Sequence, residues 1–110
     1  MKNLLFLSIL FGISISVSAQ IQVSQFNAEW NSANAVGWVN DLEDCKTISY
    51  TDIAKNPSLA TKHKIAVIPT IIIFKDDIEV ARFQADLSFK MIATMKEVQE
   101  EIDNILMSDF

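Results

Sequence analysis

Cys45 is the chain's one cysteine and His63 its one histidine, so any thiol or imidazole chemistry must run through these two side chains. A single thiol forms no intramolecular disulfide, and one Cys with one His falls short of the donors that a zinc site needs. Cys45 follows Glu43 and Asp44, and carboxylates beside a helix C-terminus raise a thiol pKa, the reverse of activation. An inert thiol, or one linked to a second chain, is expected. His63 stands between Lys62 and Lys64 with no nucleophile paired to it in sequence, which predicts a solvated capping role at a helix end. Asp41, Glu43 and Asp44 form an acidic run, as do Asp76, Asp77 and Glu79; Asp76-Asp77 lacks the ligand spacing and turn glycine of a calcium loop and reads as a solvated turn. Met91, Met95 and Met107 read as core fillers on the last helix. No cofactor and no metal are expected.

The frame around these residues is small. With 110 residues, 50% hydrophobic and 21% charged, the chain fits one domain and is too apolar for disorder. A net charge of −5 argues against nucleic acid or an anionic membrane surface as the main partner. Residues 1–19 read as an export signal: Lys2, then an apolar stretch from Leu4 to Ile15, then Val17-Ser18-Ala19 with Gln20 following. The apolar run is shorter than the ~20 residues of a membrane span, so cleavage is expected. Residues 20–110 remain as the domain, periplasmic or secreted and off the membrane.

Within that domain Ile21 to Phe26 alternates, as does Lys46 to Thr51, and both predict strands. Between them Val36, Val39 and Leu42, with Trp38, predict a helix from about Ser32 to Glu43, capped by Asn31 or Ser32. Asn56-Pro57 predicts a short helix that fades near Lys64, with Asn56 as its cap. Ile71-Ile72-Ile73-Phe74 reads as a strand buried on both faces, Lys75-Asp76-Asp77 as a turn, and Ile78 to Gln84 as its hairpin partner. Phe89, Ile92, Met95, Val98, Ile102 and Ile105 predict one amphipathic helix from Ser88 to about Met107. The order is βαβ, a short helix, then ββα: an α/β fold with a four-stranded mixed sheet.

Four local sequences in this order resemble the thioredoxin family. Phe26-Asn27-Ala28-Glu29-Trp30 resembles the strand that leads into its redox motif, and Asp52-Ile53-Ala54-Lys55-Asn56-Pro57 the segment after its second parallel strand. Ile68-Pro69-Thr70 with Ile71 to Lys75 resembles its cis-proline loop and next strand, and Leu87-Ser88 the entry to its final helix. The resemblance spans nearly all of residues 21–107 and implies a minimal thioredoxin-like fold that lacks the usual first strand and helix. It also implies a cis Ile68–Pro69 bond and a shallow peptide-holding groove made of Trp30, Asn31, Ser32, Ala33, Asn34, Ile68 and Pro69.

The departures govern the expected function. Asn31-Ser32-Ala33-Asn34 stands where the resemblance places Cys-x-x-Cys, Gln25 where it places a buried carboxylate, and Tyr50 where it places the neighbouring lysine. Thiol exchange needs a thiolate, a resolving thiol and groups to handle protons. All three are gone, and Cys45, about 20 Å from Ser32 along one helix, cannot replace them. A non-catalytic module that binds protein or extended peptide is expected. The alternative is a thiol–disulfide oxidoreductase acting in redox homeostasis through Cys45 or a partner's thiol, and a third reading is one part of a larger exported assembly. The missing first helix leaves Gln22, Ser24, Thr47, Ser49 and Thr51 on a thinly covered sheet face, so a homodimer through that face or through Cys45 is a further expectation.

Overall fold

Alternation puts Ile21, Val23, Gln25 and Asn27 of β1 (Ile21–Asn27) on one side of a sheet and Gln22, Ser24 and Phe26 on the other. The computed structural model describes residues 20–108, so the expected export signal at 1–19 lies outside the described residues. β1 is central. It runs parallel to β2 (Thr47–Asp52) and antiparallel to β3 (Thr70–Lys75), which pairs antiparallel with β4 (Ile78–Gln84), giving the order β2-β1-β3-β4. The α/β architecture read from the sequence, a four-stranded mixed sheet in the order βαβ then ββα, is the one observed. Asp76 and Asp77 close the β3–β4 hairpin with φ of 50° and 69°, the two left-handed positions of a type I′ turn, which aspartate tolerates.

One face carries the core. Ile21, Val23, Ile71 and Ile73 meet Val36, Val39 and Leu42 from the β1–β2 connection and Val98 and Ile102 from the last helix. Each such buried side chain contributes about 1.5–3 kcal/mol. The opposite face is covered at one end by α1 (Pro57–Lys62), after which His63 packs on Phe26 and Phe74. Its other end is open: Gln22, Ser24, Thr47 and Ser49 line a shallow cavity of about 420 Å³ with Lys62, His63, Phe74 and Asp77. No helix among the described residues is long and apolar enough to cross a membrane.

Three elements depart from the sequence reading. The helix expected over Ser32–Glu43 is two 3-10 segments, Glu29–Asn34 and Gly37–Asp41, separated by extended Ala35 and Val36. Buried Gln25 causes the break. Its Nε2 donates to the Val36 carbonyl (3.1 Å) and its Oε1 accepts from the Val36 N–H (2.7 Å), which holds Val36 extended; its N–H goes to Gln25 instead of back along a helix, while its carbonyl also takes the Val39 N–H (3.4 Å) that opens the second segment. The cap before the first segment is Ala28, with no side-chain bond, so neither Asn31 nor Ser32 acts as one. Asn56 also caps nothing through its side chain, which donates to the Asp52 carbonyl.

The last helix, α2, is Met95–Met107, seven residues shorter at its start than expected. Thr94 and Glu97 form a reciprocal capping box there, Glu97 N–H donating to Thr94 Oγ1 (3.2 Å) and Thr94 N–H to Glu97 Oε1 (3.0 Å). Phe89 and Ile92 therefore precede the helix. Met95 and Met107 are exposed, and of the three methionines named above only Met91, which also lies before α2, packs on the core.

Candidate functional site

β1 ends at Asn27, and the chain turns through Ala28 into the Glu29–Asn34 segment. Asn27 is fully buried, and burying an amide without partners costs a few kcal/mol. The partners come from the turn itself. Asn27 Nδ2 donates to the Asn31 carbonyl (3.2 Å), and Asn31 Nδ2 donates to Asn27 Oδ1 (3.1 Å) and to the Phe89 carbonyl (3.3 Å). Asn34 Nδ2 then donates to Asn31 Oδ1 at 2.9 Å. The two asparagines that the resemblance puts in place of a dithiol are thus joined by a hydrogen bond. Asn31 is buried and structural, Asn34 half-buried, and Ser32 and Ala33 are exposed.

The Asn31–Phe89 bond ties this turn to residues 85–91. Phe89 has φ of 65°, an uncommon conformation for a bulky side chain. Asp86 holds it there: its Oδ1 accepts from the Ser88 N–H (2.8 Å), the Ser88 hydroxyl (2.6 Å) and the Lys90 N–H (3.2 Å), while the Asp86 carbonyl accepts from the Phe89 N–H (3.1 Å). The Ser88 hydroxyl, helped by the backbone N–H groups, keeps the Asp86 carboxyl below its ordinary pKa. So held, the Phe89 ring meets Trp30 edge to face, centroids 5.2 Å apart. Trp30 remains 67% exposed, which sets it out as a surface feature and not a core residue.

Pro69 lies at the same end of the sheet, because Phe26 pairs with Thr70 and Pro69 therefore faces the exit of β1. The Ile68–Pro69 bond is cis, and the Pro69 carbonyl accepts from the Ala85 N–H (3.0 Å), next to the Ala85–Met91 bridge. Ile68 is buried, yet neither its N–H nor its C=O is hydrogen-bonded to any described residue. The register thus brings Trp30–Asn34, Ile68 and Pro69 to one end of the sheet. The sequence reading missed Asn27, Asp86 and Phe89: Phe89 meets Asn31 and Trp30 from a distant segment, whereas the side chains of Asn27 and Asp86 bond only within four residues. A local signal for Asp86 and Phe89 exists in the Asp86-x-Ser88 turn.

The two titratable candidates lie elsewhere. Cys45 precedes β2 beside the start of β1, where the Lys46 N–H bonds the Ile21 carbonyl (2.7 Å), so the whole length of β1, about 20 Å, separates it from Trp30. The separation expected from a helix holds for this different reason. Its thiol donates to the Glu43 carbonyl (3.4 Å), and partial burial, then the Asp44 carboxylate, push its pKa up. His63 does cap α1 through its backbone, but its ring is not simply solvated: it lies against Phe26 and Phe74 at 5.3 and 5.4 Å. Desolvation, then Lys62, lower its pKa. No cluster of His, Cys, Asp and Glu among the described residues could hold a metal ion.

No protein-family model matches the chain, and no curated protein matches it by sequence. Solved structures do resemble it. A point mutant of the Halobacterium salinarum thioredoxin is 18% identical with a TM-score of 0.65, covering 79% of this chain and 75% of that one. Thioredoxin 1 of Thermosipho africanus is 19% identical with a TM-score of 0.60, covering 80% and 97%. A thioredoxin of Fasciola hepatica is 20% identical with a TM-score of 0.55, covering 79% and 82%. The chain has a thioredoxin-like fold.

Proposed function

We propose that this thioredoxin-like chain is exported and acts outside the cytoplasm as a non-catalytic module that binds protein or extended peptide where Trp30, Ile68 and Pro69 meet. The observation that carries the reading is an exposed, pre-positioned Trp30 at the same end of the sheet as Ile68, whose backbone bonds to no described residue. An extended peptide supplies both things this arrangement lacks: a C=O and N–H to pair with Ile68, as an added strand pairs with a sheet edge, and a side chain to cover the indole. The Asn27–Asn31–Asn34 network and the Asp86 turn fix the platform in advance, which lowers the ordering cost of binding. A thiol has no part in that interaction. Cys45, distant and with a raised pKa, offers no support for the oxidoreductase alternative. The acidic charge is equally poorly suited to nucleic acid.

A reduced, carboxymethylated polypeptide is a suitable probe, being permanently unfolded and unable to exchange disulfides. It is expected to bind the purified chain, with the loss of binding in Trp30→Ala leaving the circular dichroism unchanged. Insulin reduction by the wild type that disappears in Cys45→Ser would replace this reading with the oxidoreductase one. For export, N-terminal sequencing after expression in a Gram-negative host is expected to begin at Gln20, and an intact Met1 start in the cytoplasm counts against it.

A further inference from the structure

The sheet has two outer edges, and they are treated differently. β4 carries the devices that discourage pairing with another chain: a register irregularity opposite Ile73/Phe74, and a charged pair, Glu79 with Arg82 at 2.8 Å. Arg82 also donates to the His63 and Lys64 carbonyls (2.6 and 3.0 Å), fastening that edge to the end of α1. β2 has neither the irregularity nor a charged pair within the strand, and its one charged residue is its last, Asp52. Its outer side is unpaired among the described residues, and Thr47-Ile48-Ser49-Tyr50-Thr51 contains no proline, charge or bulge. Thr47, Ser49 and Tyr50 are exposed.

We infer that the β2 edge pairs antiparallel with the β2 edge of a second copy, about a two-fold axis at Ser49, joining two four-stranded sheets into one. The sequence selects this register. A two-fold axis normal to a continuous sheet keeps each face on its own side, so opposed residues must come from the same face. Centring on Ser49 sets Lys46 against Asp52 of the second copy, Ile48 against Tyr50, Thr47 against Thr51, and Ser49 against its own counterpart. Each pair is of a kind that stabilises cross-strand contacts: opposite charges, aliphatic with aromatic, hydroxyl with hydroxyl. Asp52 is already oriented, its carboxylate accepting from the N–H groups of Glu29, Ala54 and Lys55, which leaves one of its roughly four acceptor positions for a lysine. Sliding the centre to Ile48 sets Asp44 against Asp52 and Lys46 against Tyr50. Sliding it to Tyr50 sets Ile48 against Asp52. Only the Ser49 register satisfies both charges at once.

Cys45 contributes nothing to this contact, since its counterpart across the axis is Ile53. The partner strand is short, so the association is weak, in the micromolar range or above, as expected of an interface below standard size.

Sedimentation velocity of the purified chain at about 100 µM, well above such an expected constant, should show a mass near that of a dimer. Ser49→Lys and Ser49→Asp should each sediment as monomers, because like charges then face each other on the axis, and an equimolar mixture of the two should regain the dimer mass. Tyr50→Lys, on the opposite face, should also weaken the dimer, whereas it would leave a pair stacked through the Gln22–Ser24 face untouched. It doubles as the test if Ser49→Lys lowers the melting temperature. Cys45→Ser and reducing agent should change nothing. A monomeric wild type, a Ser49→Lys chain that dimerises as the wild type does, a mixture that stays monomeric, an unaffected Tyr50→Lys or a dimer lost with Cys45 would each overturn the inference.

Discussion

The two ends of β1 were built with opposite uses of polar groups. At the Asn27 end, buried amides satisfy one another and hold an exposed indole in place, at the cost of hydrogen-bonding capacity that has no other role. At the Ile21 end sits the one thiol, half-buried and bonded to the Glu43 carbonyl, with burial first and the Asp44 carboxylate second opposing its ionisation. One end invests in a rigid surface without a nucleophile, and the other holds a nucleophilic atom without a surface or an activator. Reactive chemistry requires both in one place, and the length of β1 keeps them apart.

The largest expected effect tests what separates the ends. Gln25→Leu removes both bonds to Val36 and leaves its buried N–H unpaired and its C=O with only the long bond from the Val39 N–H (3.4 Å), which should cost about 3 kcal/mol. In a domain of this size that lowers the melting temperature by roughly 15 °C. A loss under a few degrees would show that the segment between the ends is not held by the clamp. Next, Trp30→Ala should leave stability within about 0.5 kcal/mol of wild type, as for an exposed site. Its affinity for an unfolded polypeptide should nonetheless fall at least about tenfold, the scale of an aromatic anchor. Equal affinity in a titration calorimeter would strip the Asn27 end of its role.

Smaller effects concern the ionisable groups. The folded state lowers the His63 pKa, so the unfolded chain binds more protons and stability falls with falling pH once the solution drops below about 6.5. Urea midpoints at pH 7.5 and 5.5 should differ in that direction, and His63→Phe should shrink the difference. The Glu79 carboxyl, held below its ordinary value first by the Arg82 hydrogen bond, adds a loss in the same direction at lower pH. Smallest of all is Cys45→Ser, which should alter neither stability by more than a few tenths of a kcal/mol nor binding. The wild-type thiol should react with iodoacetamide at pH 7.5 more slowly than a free cysteine peptide, and a faster reaction would mean that the Ile21 end is chemically primed after all.

Much of this molecule was readable in advance, and the errors have particular causes. Val36, Val39 and Leu42 share the buried face that their spacing predicts, but an i, i+3, i+6 spacing is the period of a 3-10 helix as much as that of an α-helix. Only the bonds from Gln25, eleven residues away, decide between the two. Phe89, Ile92 and Met95 mimic the helical period, while the Thr94-x-x-Glu97 capping signature that truly starts α2 was in plain view. For the site, the resemblance named Trp30 and Pro69. It did not name Phe89, because its ring pair with Trp30 and its bond from Asn31 join segments some sixty residues apart, nor Asn27, whose amide bonds only Asn31 four residues on and shows its role once both are buried.

The succession of elements along the chain and the β3–β4 hairpin follow from the chain's own pattern, since apolar periodicity and turn chemistry act within a few residues, while the absent dithiol and the thinly covered polar face follow from its resemblance to the thioredoxin family. The type of helix between β1 and β2, the exposure of Trp30, the unpaired backbone of Ile68 and the contrast between the two sheet edges were decided by tertiary contact. The Gln25 bonds to Val36, the Trp30–Phe89 ring contact and the Arg82 bonds to the His63 and Lys64 carbonyls each join residues eleven or more positions apart, so no local sequence window contains both partners.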